Sequence, residues 1–132
     1  MSLNILIVDD SKVMRKIVLK SIKISGVHVA EVYEASNGQE AIDFMCQKKV
    51  DLVMADINMP VMNGEEMIDA MMDNPIMNKI PVIVISTEGS EQRIERLLNK
   101  GAMFLHKPFS PEMFRDTIQK ITSLGACNEQ ST

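Results

Sequence analysis

Short runs of consecutive apolar residues alternate along this chain with longer stretches in which apolar positions recur every three or four residues. Ile5 to Val8, Val50 to Asp56, Val82 to Ser86 and Ala102 to His106 predict strands, and Ile5 to Val8 is apolar enough to be fully buried. Val27 to Ala35 is more polar and suits the edge of a sheet. Between the strands lie five helical patterns. Ser11 caps the first, whose positions Met14, Ile17, Val18 and Ile22 share a face, and Gly26 stops it. The second covers "SNGQEAIDFMCQKK", residues 36–49; the third follows Gly64 with Met67, Ile68, Met71 and Met72 and ends before Pro75. The fourth runs from Ser90 through Ile94, Leu97 and Leu98 to Gly101. Ser110 and Pro111 are the cap and first residue of the last, with Phe114, Ile118 and Ile121 inward and Gly125 closing it.

Strict alternation of five strands and five helices implies an α/β fold with a doubly wound parallel sheet covered by helices on both faces. Right-handed crossovers leave few topologies, and in all of them ligands bind outside the carboxyl ends of the strands. One domain, 1–125, is expected, with 126–132 as a short polar tail. A chain of 132 residues can bury one core and is too short for two.

Composition narrows the function classes. A net charge of −4 and no dense run of Lys or Arg disfavour nonspecific nucleic-acid binding. No apolar run approaches the roughly 18 residues that would span a membrane, and the N-terminus lacks a secretory pattern, so a cytoplasmic protein is expected. Cys46 and Cys127 have neither CxxC nor ligand-spaced His around them, which argues against zinc. The twelve methionines lie mostly beside Ile and Leu at helix or strand spacing, as core filler does, although Met also suits pliable binding surfaces.

The residues at the strand ends are chemically biased. Asp9 and Asp10 follow the first strand, Asp56 the third, Ser86 and Thr87 the fourth, and Lys107 the fifth. Any one of these could be a turn or cap residue. Together, three acids, hydroxyls and an amine meet where the topology expects a ligand. Carboxylates so placed repel and raise one another's pKa unless a cation sits among them, and Mg²⁺ suits such an oxygen site. A carboxylate can also attack phosphorus and form an aspartyl phosphate, with a metal, a lysine and a hydroxyl neutralising the equatorial oxygens.

At "LIVDDS", "MADINMPVMNG", "VIVIST" and "FLHKPFSP", which anchor a match from residue 4 to about 124, the sequence resembles the receiver domain of two-component response regulators, of the stand-alone chemotaxis type. The resemblance implies a flavodoxin-like sheet of order 2-1-3-4-5 and an acceptor at Asp56. It also implies Mg²⁺ on Asp10, Asp56 and the Asn58 carbonyl, with Asp9 acting largely through water. Lys107 and Ser86 would then meet the phosphoryl oxygens, Phe104 would be the switch aromatic, and Asn58 and Glu88 would set access of the hydrolytic water. Ser86 stands where Thr is commoner and Phe104 where many chemotaxis receivers have Tyr. Thr87 is bulkier than the usual residue, and His106 is either a partner contact or a half-exposed polar residue.

The expected donor is a histidine kinase or phosphotransfer protein, and the expected output surface is the fourth helix, fifth strand and fifth helix. Only eight residues follow Leu124, too few for a helix-turn-helix domain, so the target should be a protein: a flagellar motor switch, another kinase or a relay protein. Two other classes stand beside this one. A Mg²⁺-dependent phosphohydrolase would pass through the same aspartyl phosphate but typically needs an acid two positions after the nucleophile, where this chain has Asn58. A flavodoxin-like cofactor module would need a Ser-, Thr- and Gly-rich loop after the first strand, where this chain has "DDSKVMRK".

Overall fold

The structure, a computed structural model, describes residues 2–87 and 89–130, the side chains of 122–130 excepted. Five parallel strands, β1 (Leu3–Val8), β2 (Val29–Ala35), β3 (Leu52–Ala55), β4 (Val82–Ser86) and β5 (Met103–His106), form one sheet of order 2-1-3-4-5. Helices α1 (Lys12–Ser25), α2 (Gly38–Gln47), α3 (Gly64–Met72), α4 (Glu91–Asn99) and α5 (Pro111–Gln130) supply the crossovers. The fold is the doubly wound α/β sheet that the alternation predicts.

The sheet separates two apolar layers. Leu6, Val8, Val53, Ala55, Val82 and Val84 face α2, α3 and α4 and pack on Ala41, Met45, Met67, Met71 and Leu97. Ile5, Ile7, Leu52, Met54, Ile83 and Ile85 face α1 and α5 and pack on Val18, Ile22, Phe114 and Ile118. Burial on both sides is why β1, β3 and β4 are apolar without alternation. The edge strand β2 exposes Ala30, Glu31 and Glu34, in keeping with its polar sequence. Met45, Met54, Met67, Met71 and Met77 are buried, as core filler should be.

Ser11 and Ser90 begin α1 and α4 as expected, whereas α2, expected over 36–49, is Gly38–Gln47 behind a cap at Asn37. The side chains of Ser11, Asn37, Asn63 and Ser90 each accept a backbone N–H of the first turn of their helix, and Asn63 with Glu66 makes a reciprocal capping box. Gly26, at φ 78°, ends α1 in the left-handed conformation that costs glycine little.

Some boundaries differ. β2 begins at Val29 rather than Val27, and β3 begins at Leu52 although Val50 is buried. A short 3₁₀ turn at Met77–Lys79, not anticipated, buries Met77 between α3 and β4. Gly125 does not close α5, which is helical to Gln130; one interior Gly costs a helix only about 1 kcal/mol, and no Pro follows it. Cys46 is an exposed free thiol, whereas the side chain of Cys127 lies outside the described residues. Among the described residues no helix is long and apolar enough to cross a membrane.

Candidate functional site

At the carboxyl edge of the sheet, β1 and β3 are neighbours, and the ladder between them continues as the Asp56 N–H donates to the Val8 carbonyl at 3.0 Å. That pairing sets Asp56 beside the residues that follow Val8. Asp9 is buried, Asp10 is exposed and Asp56 is half-buried, and one carboxylate oxygen from each lies within 4.8 Å of the others.

Local bonding holds the acids in place. Asp9 Oδ1 accepts the Ser11 N–H at 2.8 Å, which closes the turn into α1. Arg15, one turn into α1, donates from Nη1 to the Asp9 carbonyl at 2.6 Å and from Nε to Glu34 at 2.9 Å, tying the β1–α1 loop to β2. After Asp56 the chain must turn sharply. Gly64 N–H donates to the Ile57 carbonyl at 2.8 Å, and a Cβ on Gly64 would stand 2.4 Å from the Asp56 carbonyl oxygen. Only glycine permits that approach.

Burial is the main influence on the acids. It raises the pKa of Asp9, against the Ser11 hydrogen bond, with Asp56 and Asp10 adding to the rise and Lys107 opposing it. It likewise raises Asp56, against the Ile57 N–H, with Lys107 and Arg93 lowering it and Asp10 raising it. Mutual repulsion of the acids, expected from their spacing, is present but smaller than burial. Lys107 lines the same small cavity as Asp9 and Asp56. Its N–H donates to the Ser86 carbonyl at 2.9 Å, so β4 and β5 deliver hydroxyl and amine side by side; the Lys107–Pro108 peptide is cis.

The donor set fits a hard divalent cation. Oxygens about 2.0–2.1 Å from one octahedral Mg²⁺ stand about 3 Å apart as neighbours and about 4.2 Å apart when opposite, so carboxylate oxygens within 4.8 Å of one another are near enough for two to close on the ion and a third to reach it through water.

Ser86 is buried, 2% exposed, while Thr87 beside it is exposed. Register pairs Val84 with Phe104 and Ser86 with His106, so Ser86, Phe104 and His106 share the face toward α4. Phe104 is half-buried against that layer, and the exposed His106 ring lies 6.0 Å from it. Asn58 is exposed, and its Oδ1 accepts Arg93 Nη2 at 3.4 Å. Glu88 lies outside the described residues. Thus Asp9, Asp10, Asp56, Asn58, Ser86 and Lys107 come to one edge, with Phe104 one residue pair back from it.

Arg15 and Arg93 were not singled out from the sequence. For Arg93 a signal existed: cations at 93, 96 and 100 share one helical face, opposite acids at 65 and 69 spaced to share another.

The response regulator receiver domain, as a family, matches residues 5–119. This chain belongs to that family. The receiver is 35% identical over 123 residues to the chemotaxis protein CheY of Thermotoga maritima, covering 92% of this chain and 99% of that protein. It is 31% identical over 135 residues to the two-component response regulator ARR6 of Arabidopsis thaliana, covering 93% of this chain and 73% of that protein. Among solved structures, the chemotaxis response regulator CheY4 of Vibrio cholerae superposes with a TM-score of 0.79 at 31% identity, covering 92% of this chain and 99% of that one. The sheet order and the acidic edge thus stand in a receiver of the two-component type.

Proposed function

We propose that this receiver is a signalling switch that accepts a phosphoryl group on Asp56 from a histidine kinase or phosphotransfer protein. The observation that carries the reading is the meeting of Asp9, Asp10 and Asp56 within 4.8 Å at the one sheet edge that also presents Ser86 and Lys107. In the reaction, an Asp56 carboxylate oxygen attacks phosphorus in line. The new O–P bond forms as the P–N bond to the donor histidine breaks, and the imidazole leaves with a proton. Asp10, Asp56 and the Asn58 carbonyl would hold Mg²⁺, with Asp9 acting on it through water; the ion when bound neutralises charge on the phosphoryl oxygens. Lys107 pairs with one of those oxygens and the Ser86 hydroxyl donates to another. Asn58 and Glu88 govern the approach of water.

Phosphorylation turns one charge into about two and adds acceptor oxygens. Charge-assisted hydrogen bonds contribute about 1.5–3 kcal/mol each, so two of them approach the roughly 5.5 kcal/mol that carries a two-state equilibrium from 1:99 to 99:1. Ser86, drawn toward the phosphoryl group, frees space on the α4 face that Phe104 can enter, which alters the surface of α4, β5 and α5. The target of that surface is a protein. Likeness to CheY makes a flagellar motor switch the first partner to test, with a kinase or relay protein next.

Acetyl phosphate with Mg²⁺ tests the reading. The switch takes up one phosphoryl group per chain and then stops, whereas sustained turnover would make it a phosphohydrolase.

A further inference from the structure

Three cations on one face of α4 reach across to the β3–α3 region. Arg96 donates from Nε and Nη2 to the two carboxylate oxygens of Glu65 at 3.1 and 3.3 Å, and Lys100 Nζ meets Glu65 at 3.1 Å and Asp69 at 2.8 Å. Arg93, one turn earlier on the same face, continues the row and donates from Nη2 to Asn58 Oδ1. The two lower contacts link the end of α4 to α3. They leave Arg93, half-buried, at the mouth of the acidic site, with its charge felt at Asp56.

We propose that Arg93 is a positioning residue of the phosphoryl site: acting through Asn58, it covers the outer side of Asp56 and lengthens the life of the phosphorylated state. The inference deepens the receiver reading and rests on it. Hydrolysis requires a water opposite the Asp56 oxygen. Its O–P bond forms as the P–O bond to Asp56 breaks, and phosphate leaves while the carboxylate is restored. An Asn58 amide held by Arg93 is not free to turn and orient that water.

The test phosphorylates full-length chains with radiolabelled acetyl phosphate and Mg²⁺, removes the donor, and follows loss of label. Wild type is compared with Arg93→Ala, Arg93→Lys and, as a control on α5, Lys120→Ala. Arg93→Ala should shorten the lifetime about three- to tenfold, the range expected for one partly exposed charged contact. Arg93→Lys should recover part of the loss, and Lys120→Ala none of it. Raising ionic strength should shorten the wild-type lifetime and leave Arg93→Ala unchanged, which a merely structural role would not produce. Equal lifetimes for wild type and a folded Arg93→Ala, judged by thermal denaturation, overturn the proposal while leaving the receiver reading intact. A wild type that takes no label overturns both.

Discussion

The two edges of the sheet, built by the same ten elements, have opposite chemistry. At the carboxyl edge the chain gathers three acids, a lysine and a buried hydroxyl, and Asp9, Asp56 and Lys107 line a cavity of only about 10 Å³. At the amino edge a cavity of about 200 Å³ is lined by α3 and the 3₁₀ turn, with Ile68, Met71, Met77, Ile80 and Val82 as its apolar wall. The larger space holds the less chemistry. The carboxyl edge is where a ligand site is expected in such a sheet, because side chains from the ends of separate strands converge there.

Substitutions at the two edges should therefore separate stability from phosphoryl chemistry. Met77→Ala, at the amino edge, should cost about 2–5 kcal/mol in chemical denaturation and leave phosphoryl uptake per folded chain unchanged. Lost uptake there would mean that the edges are coupled. Gly64→Ala, at the carboxyl edge, should cost about 1–3 kcal/mol and also reduce uptake, because the added methyl would push the Asp56 backbone away.

A third contrast lies in pH. The folded pKa of Asp56 is raised, so folding favours its protonated form, and stability falls as pH rises through the carboxylate range. Asp56→Asn should accordingly raise the melting temperature at neutral pH without Mg²⁺. Added Mg²⁺ should stabilise wild type, by about 2.7 kcal/mol at one hundred times its dissociation constant, and stabilise Asp56→Asn much less. Glu65 has the opposite sign. Its hydrogen bonds from Arg96 and then Lys100 lower its pKa to about 2, so its contribution is present above the usual value of 4.5 and is lost as pH falls from there toward 2. Because Arg96 is largely exposed, Glu65→Gln should cost no more than about 1 kcal/mol near neutral pH, and nothing near pH 2.

Much of this was legible in the residues themselves. Apolar runs without alternation pointed to strands covered on both sides, and Asp9, Asp10, Asp56, Ser86 and Lys107 stood at their ends. Asp9 and Asp10, however, look alike in sequence; strand geometry alone turns the first inward to 5% exposure and the second to solvent. Arg93 escaped notice because its partner Asn58 is 35 residues away, across a groove between helices that no local pattern describes. The 3₁₀ turn is too short to show a period, and Gly125 resembles a stop signal that α5 passes through.

The central claim is that Asp56 carries the phosphoryl group. Reducing the phosphorylated chain with borohydride converts an aspartyl phosphate to homoserine, and peptide mass spectrometry then locates it. Homoserine at position 56 alone is the predicted result; homoserine at position 9 or 10, or at none, would contradict it.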